Sequence, residues 1–320
     1  MSDVTVIGAG AWGTALAIQA ARAGNTVRLW ARNPATAAAI EQSRESHRLP
    51  GHRLPGSVRV VAAIPGPADA IILAVPMQHL RAALLSLPDH GSPLVVCAKG
   101  VETGTLCLPM EILAELRPDS HAAVLTGPNF AHEVASGLPA AAVVASTHLP
   151  TRDHITSLLG TPTFRLYGND DPIGAQLGGA AKNVVAIAAG AVIGAGLGEN
   201  ARAALITRAL SEISRLAVAL GGKADTVMGL SGLGDLLLTC TGPSSRNFSL
   251  GYALGQGQAL ADILAARSSA TEGVATAPAL VTRASGTELP VCTAVATLLA
   301  GRTTLAQAIA DLLSRPRRNE

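Results

Sequence analysis

The sequence predicts an α/β protein in two parts: a mostly parallel sheet covered by helices over residues 1–172, then an all-helical domain over residues 173–320. Three observations carry this expectation. In the first half, short β-branched runs alternate with Ala/Leu-rich stretches, the pattern that builds a parallel sheet with helical crossovers. Beyond about residue 170 the strand signals fade, and helical Ala/Leu patterns dominate from 176 to 220 and from 250 to the end. The chain has 320 residues, 48% of them apolar and 14% charged. That is too apolar for a disordered chain, and at roughly 100–200 residues per domain it supplies two cores.

The strands are expected at 4–7, 27–30, 58–61, 70–75, 94–98 and 122–125, most of them apolar throughout, as when both faces of a sheet are covered. The first runs straight into Gly8-Ala9-Gly10-Ala11-Trp12-Gly13 and then an Ala/Leu helix over 14–23. Strand, glycine turn and helix in this order form the dinucleotide-binding, Rossmann-like fingerprint. Gly8 allows the tight turn, Gly10 lets a pyrophosphate approach the backbone, and Gly13 lets helix and strand pack closely. The helix N-terminus offers free N–H groups to the phosphates. After the second strand, where an acidic residue usually takes the ribose hydroxyls, the sequence reads Ala31-Arg32-Asn33. Arg32 suits the extra phosphate of NADP, so NADPH is expected to bind at least as well as NADH.

The remaining composition excludes several classes. A formal net charge of +2, spread along the chain, supplies no dense basic patch for nucleic acid. The start, Met1-Ser2-Asp3, lacks the cationic n-region of a signal peptide. The longest uncharged apolar stretch, residues 184–198, is shorter than the roughly 18–20 residues of a membrane span and reads as a buried helix. Cys97, Cys107, Cys240 and Cys292 are far apart, which suits neither a zinc site nor a disulfide framework and fits a reducing cytoplasm. Eight scattered histidines show no metal-ligand spacing, so no metal is expected. Arg315 to Arg318 reads as a solvated tail, and Asn169-Asp170-Asp171-Pro172 as a hinge.

Substrates of open α/β sheets bind outside the carboxyl ends of the strands. Only three lysines occur among 24 basic residues, and two stand at such places. Lys99 follows the fifth strand, and Lys182 is expected to open the Ala/Val/Ile helix of the second domain. An amine in such apolar company should have a lowered pKa and could exchange a proton near neutral pH, which a guanidinium cannot. Gly127 and Asn129 lie in a turn after the sixth strand able to donate N–H groups. Asp235, after Gly232-Leu233-Gly234, could orient an amine, and Thr239 four residues on would share a helical face or line one loop with it. Ser245-Arg246-Asn247 combines hydroxyl, guanidinium and amide, a good set for a small anion, although Ser245 and Asn247 could equally be helix caps.

Taken together these motifs resemble one family, the bacterial-type NAD(P)-dependent glycerol-3-phosphate dehydrogenases. The resemblance runs from Val4 to about Leu313 and is most specific in Gly178-Gly179-Ala180-Ala181-Lys182-Asn183, Gly232-Leu233-Gly234-Asp235 and Ser245-Arg246-Asn247. It implies a C-terminal domain like that of 6-phosphogluconate dehydrogenase. It also implies reversible reduction of dihydroxyacetone phosphate to sn-glycerol 3-phosphate, the backbone donor for glycerophospholipids. By the family's pattern Lys182 is the acid/base, with Asp235 and Thr239 near it. Lys99, Gly127, Asn129, Ser245, Arg246 and Asn247 would contact substrate. Ala11, Trp12, Arg32, Lys99, Ala131, Arg246 and Glu272 would contact NADP(H) or NAD(H). Asn129 stands where the family more usually has serine or threonine, and Ala270-Thr271-Glu272-Gly273 is a weakened form of its segment.

Two alternatives remain open on the residues. One is an NADP-dependent β-hydroxy acid dehydrogenase of the same architecture, because Arg246 alone does not separate carboxylate from phosphate. The other is a non-catalytic nicotinamide-sensing module, which requires the second half to lack chemistry. The partner expected is a small molecule. Apolar helical surface in the second domain could close a homodimer or pack on the first domain.

Overall fold

The structure, a computed structural model, describes residues 1–267 and 271–316. Ala270, Arg317 and Arg318 lie outside the described residues; Arg315 ion-pairs with Glu288 at 3.0 Å. The chain divides into two compact units, one of residues 1–99 and 107–176, the other of residues 100–106 and 177 onward.

The first unit carries β1 (Asp3–Ile7), α1 (Ala11–Arg22), β2 (Thr26–Trp30), α2 (Pro34–Ser43), β3 (Val58–Val61), β4 (Ala70–Leu73), α3 (Leu80–Ser86) and β5 (Leu94–Val96). It continues with α4 (Pro109–Leu116), β6 (Ala122–Thr126), α5 (Ala131–Ser136), β7 (Ala140–Ala145), α6 (Leu149–Leu159) and β8 (Phe164–Asn169). The eight strands form one sheet in the order β3-β2-β1-β4-β5-β6-β7-β8. The first six are parallel, β7 runs antiparallel to β6, and β8 is parallel to β7. Alternate residues supply two cores. Val4, Val6, Leu29, Ile72 and Val95 pack on one face, while Ile7, Trp30, Ile71, Leu73 and Val96 pack on the other. This accounts for the uninterrupted apolar runs.

Two strands depart from the sequence reading. β7 is Ala-Ala-Ala-Val-Val-Ala, whose alanines carry no β signal, and β8 sits at the sheet edge with Arg165 exposed and Gly168 in its interior. Their pairing with the sheet, and not local propensity, makes them strands. β4 and β5 also end two residues earlier than expected, where the chain leaves the ladder.

The second unit is helical: α7 (Pro172–Gly194), α8 (Gly198–Ala219), α9 (Ala224–Met228), a π-turn over Leu230–Gly234, α10 (Asp235–Cys240), α11 (Arg246–Gly255), α12 (Leu260–Ala265), α13 (Glu272–Arg283), α14 (Pro290–Leu299) and α15 (Leu305–Leu313). The Asn169–Pro172 segment is a compact strand-to-helix junction: Asn169 Oδ1 accepts from Asp171 N at 2.6 Å, and Asp171 Oδ1 accepts from Gly174 N at 2.9 Å. α7 starts at Pro172, but its first turn groups with the first unit because Gln176 Oε1 accepts the Met110 N–H at 2.7 Å. With 23 residues, α7 is long and apolar enough to cross a bilayer, yet 89% of its most apolar window is buried in protein. Such burial is that of a core helix. Residues 184–198 are therefore not one helix: α7 stops at Gly194, and Gly196 and Gly198 take positive φ of 74° and 85°.

α7 lies backbone to backbone on α11. A Cβ at Gly190 or Gly194 would stand 2.0 or 2.1 Å from the carbonyls of Phe248 and Tyr252, and one at Gly251 would meet Ile187 O at 1.9 Å. Glycines four apart on both helices thus permit an approach that any side chain would block.

Candidate active site

In the first unit, β1 ends at Ile7 and the chain turns into α1 at the reversal of strand order between β1 and β4. Gly8 has φ +111°, and a Cβ there would lie 2.7 Å from Ala74 O, just past β4. A Cβ at Gly13 would lie 1.8 Å from Gly8 O. At Gly10, by contrast, it would meet no atom within 4 Å. α1 has no side-chain cap, so its first N–H groups, among them those of Ala11 and Trp12, have no acceptor within the helix. An open backbone at Gly10 above uncapped N–H groups fits a dinucleotide pyrophosphate.

Arg32 is exposed, and no described residue pairs with it. Asn33 beside it caps α2, accepting from Ala35 N and Thr36 N at 2.9 and 3.1 Å. Lys99 Nζ donates to Gly127 O at 3.3 Å. Gly127 has φ +151°, and a Cβ there would strike Ala142 Cα at 2.9 Å, so the turn requires glycine. Asn129 Nδ2 donates to Ala141 O at 3.1 Å, while its buried Oδ1 has no partner among the described residues. Ala131 is the first residue of α5. Burial pushes the Cys97 thiol up to about 12, against the charge of Lys99 and a hydrogen bond from Trp12. That thiol stays neutral and is no nucleophile.

In the second unit, Lys182 lies ten residues into α7 instead of opening the helix, and it is buried. Its Nζ donates to Asp235 Oδ1 at 2.5 Å. Asp235 is fully buried and begins α10, directly after the π-turn. Gly178, one turn before Lys182, brings that turn onto α7: a Cβ there would lie 2.5 Å from Ser231 O. Thr239 shares the helical face with Asp235, but its hydroxyl donates to the Asp235 carbonyl at 2.6 Å.

The neighbouring residue on α7 points elsewhere. Asn183 Oδ1 accepts from Asn247 Nδ2 at 2.9 Å, Asn183 Nδ2 donates to Glu272 Oε2 at 3.4 Å, and Asn247 Oδ1 accepts from Gly273 N at 3.1 Å. Ser245 is the cap of α11, accepting from Phe248 N at 3.2 Å; Asn247 is not a cap but a bridge between three helices. Arg246 stands exposed between these two buried residues, its guanidinium in no ion pair among the described residues. The structure thus gathers Lys182, Asp235, Thr239, Arg246, Asn247 and Glu272 in one unit: Lys182 contacts Asp235, and Asn183, the next residue on α7, contacts Asn247 and Glu272. Asn183 was visible in the sequence only as the neighbour of Lys182. The described residues include no cluster of His, Cys, Asp or Glu fit to hold a metal.

Comparison with known proteins decides the family. The model of the NAD-dependent glycerol-3-phosphate dehydrogenase N-terminus matches residues 3–151, and that of the C-terminus matches residues 171–310. The glycerol-3-phosphate dehydrogenase [NAD(P)+] of Acidiphilium cryptum is 57% identical over 320 residues, covering 99% of this chain and 98% of that one. The chain belongs to the NAD(P)-dependent glycerol-3-phosphate dehydrogenases. Within this family, the enzyme of the same name from Gluconobacter oxydans is 50% identical, covering 98% of this chain and 97% of its own. A crystal structure of glycerol-3-phosphate dehydrogenase from Coxiella burnetii superposes with a TM-score of 0.93 at 36% identity, covering 98% of this chain and 99% of the other. The two-part architecture, sheet domain first and helical domain second, is that of the family.

Proposed function

We propose that this chain reduces dihydroxyacetone phosphate reversibly to sn-glycerol 3-phosphate with NADP(H) or NAD(H), supplying the backbone of glycerophospholipids. The observation that carries the reading is the buried Lys182–Asp235 pair at 2.5 Å, in the same unit as the Asn183–Asn247 hydrogen bond and the Arg246 guanidinium, which is in no ion pair among the described residues. The bound nicotinamide supplies a hydride to the carbonyl carbon. Lys182 supplies the proton that the carbonyl oxygen takes as it becomes a hydroxyl, and in the reverse direction it receives that proton. Asp235 fixes the ammonium by charge and hydrogen bond, and Thr239 steadies the Asp235 backbone. Arg246, with Ser245 and Asn247, takes the substrate phosphate. The Ser245 oxygen already accepts a backbone N–H, so its own proton is free to donate.

In the first unit Gly8, Gly10, Ala11, Trp12 and Gly13 hold the cofactor pyrophosphate, and Arg32 holds the adenosine side. Ala131, Arg246 and Glu272 are further cofactor contacts. Lys99, Gly127 and Asn129 are the substrate contacts of this unit, the Asn129 Oδ1, which has no partner among the described residues, being an acceptor for a substrate hydroxyl. A homodimer closed through the helical unit and a reducing cytoplasmic setting belong to the same reading. The second is supported by four free cysteines, three of them buried. The test is oxidation of NADPH by the purified protein with dihydroxyacetone phosphate, set against small keto acids. Turnover of the phosphoketone is expected; turnover of a keto acid alone would overturn the reading.

A further inference from the structure

Arg267 has no part in the chemistry described so far, and its guanidinium is spread over three places. Its Nη1 donates to Arg246 O at 2.7 Å and to Thr271 Oγ1 at 3.3 Å, and its Nη2 donates to Ser249 Oγ at 3.0 Å. Ser249 Oγ in turn donates to Arg246 O at 3.1 Å. Arg246 is the first residue of α11, and Thr271 is the buried cap residue of α13, immediately before Glu272. One guanidinium therefore ties together the two helix starts that carry Arg246, Asn247 and Glu272. The Asn247–Gly273 hydrogen bond makes the second tie between the same two starts.

The pairing is also electrostatically costly. Burial and then the charge of Arg246 draw the Arg267 guanidinium below its ordinary value. Among the described residues neither guanidinium is in an ion pair, so each cation feels the other without a direct carboxylate contact. A guanidinium does not shed its proton to relieve this, and a bound anion would lower the repulsion further than solvent does. A dianion gains about twice the Coulomb energy of a monoanion in such a field.

Resting on the function proposed above, we infer that Arg267 is a positioning and specificity-determining residue, which holds Arg246 in place and biases the anion site toward a phosphate dianion over a carboxylate.

The probes are inorganic phosphate and acetate, each as a competitor of dihydroxyacetone phosphate in the NADPH-loaded protein. Arg267→Gln, which keeps hydrogen bonding without charge, should raise the phosphate inhibition constant and the KM for the phosphoketone about tenfold, with acetate inhibition weakened only about threefold and kcat changed less than about twofold. Arg267→Lys, which keeps the charge, should recover most of the loss. If Arg267→Gln leaves phosphate inhibition at the wild-type level, or weakens phosphate and acetate alike, the inference is wrong. It is equally wrong if lysine recovers no more than glutamine, because the role would then be structural. Wild-type protein that binds phosphate but does not reduce the phosphoketone would overturn the proposed reaction and leave the anion site standing.

Discussion

The glycine turn of the first unit and the lysine site of the second solve opposite problems. The turn works through backbone: the contiguous residues 8–13 bring the uncapped N–H groups at the start of α1 to an open glycine, and two of its three glycines are needed because a Cβ would strike a carbonyl. The lysine site works through side chains gathered from α7, α10, α11 and α13, with partners 53 to 89 residues apart. A backbone site is encoded locally and tolerates no added atom. A side-chain site is encoded by packing, here by the glycines that bring α7 onto α11 and onto the π-turn.

Removing the partner of a buried charge should have the largest effect on this contrast. Asp235→Ala removes the carboxylate from the buried Lys182 ammonium, which should cost about 3–5 kcal/mol in urea unfolding and lower kcat by at least about 100-fold. Gly13→Ala puts a methyl where the Gly8 carbonyl stands, at 1.8 Å. The turn must open, and NADPH affinity, read by quenching of Trp12 fluorescence, should fall about 100-fold while the Lys182–Asp235 pair is untouched. Arg32→Asp should lower NADPH affinity about tenfold and leave NADH within about threefold. Equal loss of both cofactors would mean that Arg32 does not read the extra phosphate.

The smallest effect separates stability from chemistry. Burial raises the Glu212 carboxyl from 4.5 to about 7, against hydrogen bonds from Val291 N and Cys292 N and the charges of Arg215 and Arg315. A carboxyl raised on folding binds more protons in the folded chain, so its ionisation destabilises the fold. The penalty is absent below 4.5 and complete above about 7. Relative to Glu212→Gln, the wild type should lose at most about 3 kcal/mol of unfolding free energy as pH rises through that window. A pH-independent difference would contradict this.

How legible each region was follows from the same contrast. β1 to β6 and the glycine turn announce themselves in contiguous residues. β7 and β8 do not, because alanine runs and an exposed edge acquire strand character only from the neighbours they pair with. Lys182 stood out as a rare lysine in apolar company, but its place in the middle of α7 was hidden because the helix is apolar on every side. Glu272 came only from the family resemblance. Arg267 gave no sequence signal, since its three hydrogen bonds exist only once α11 and α13 start side by side.

On the proposed function, Lys182 moves the substrate's proton while the glycine turn holds the cofactor without it. The most direct test measures Lys182→Ala twice, by Trp12 quenching on addition of NADPH and by turnover of dihydroxyacetone phosphate. Wild-type quenching is expected, with kcat lowered about 10²- to 10⁴-fold. Full turnover by Lys182→Ala with cofactor still bound would contradict it.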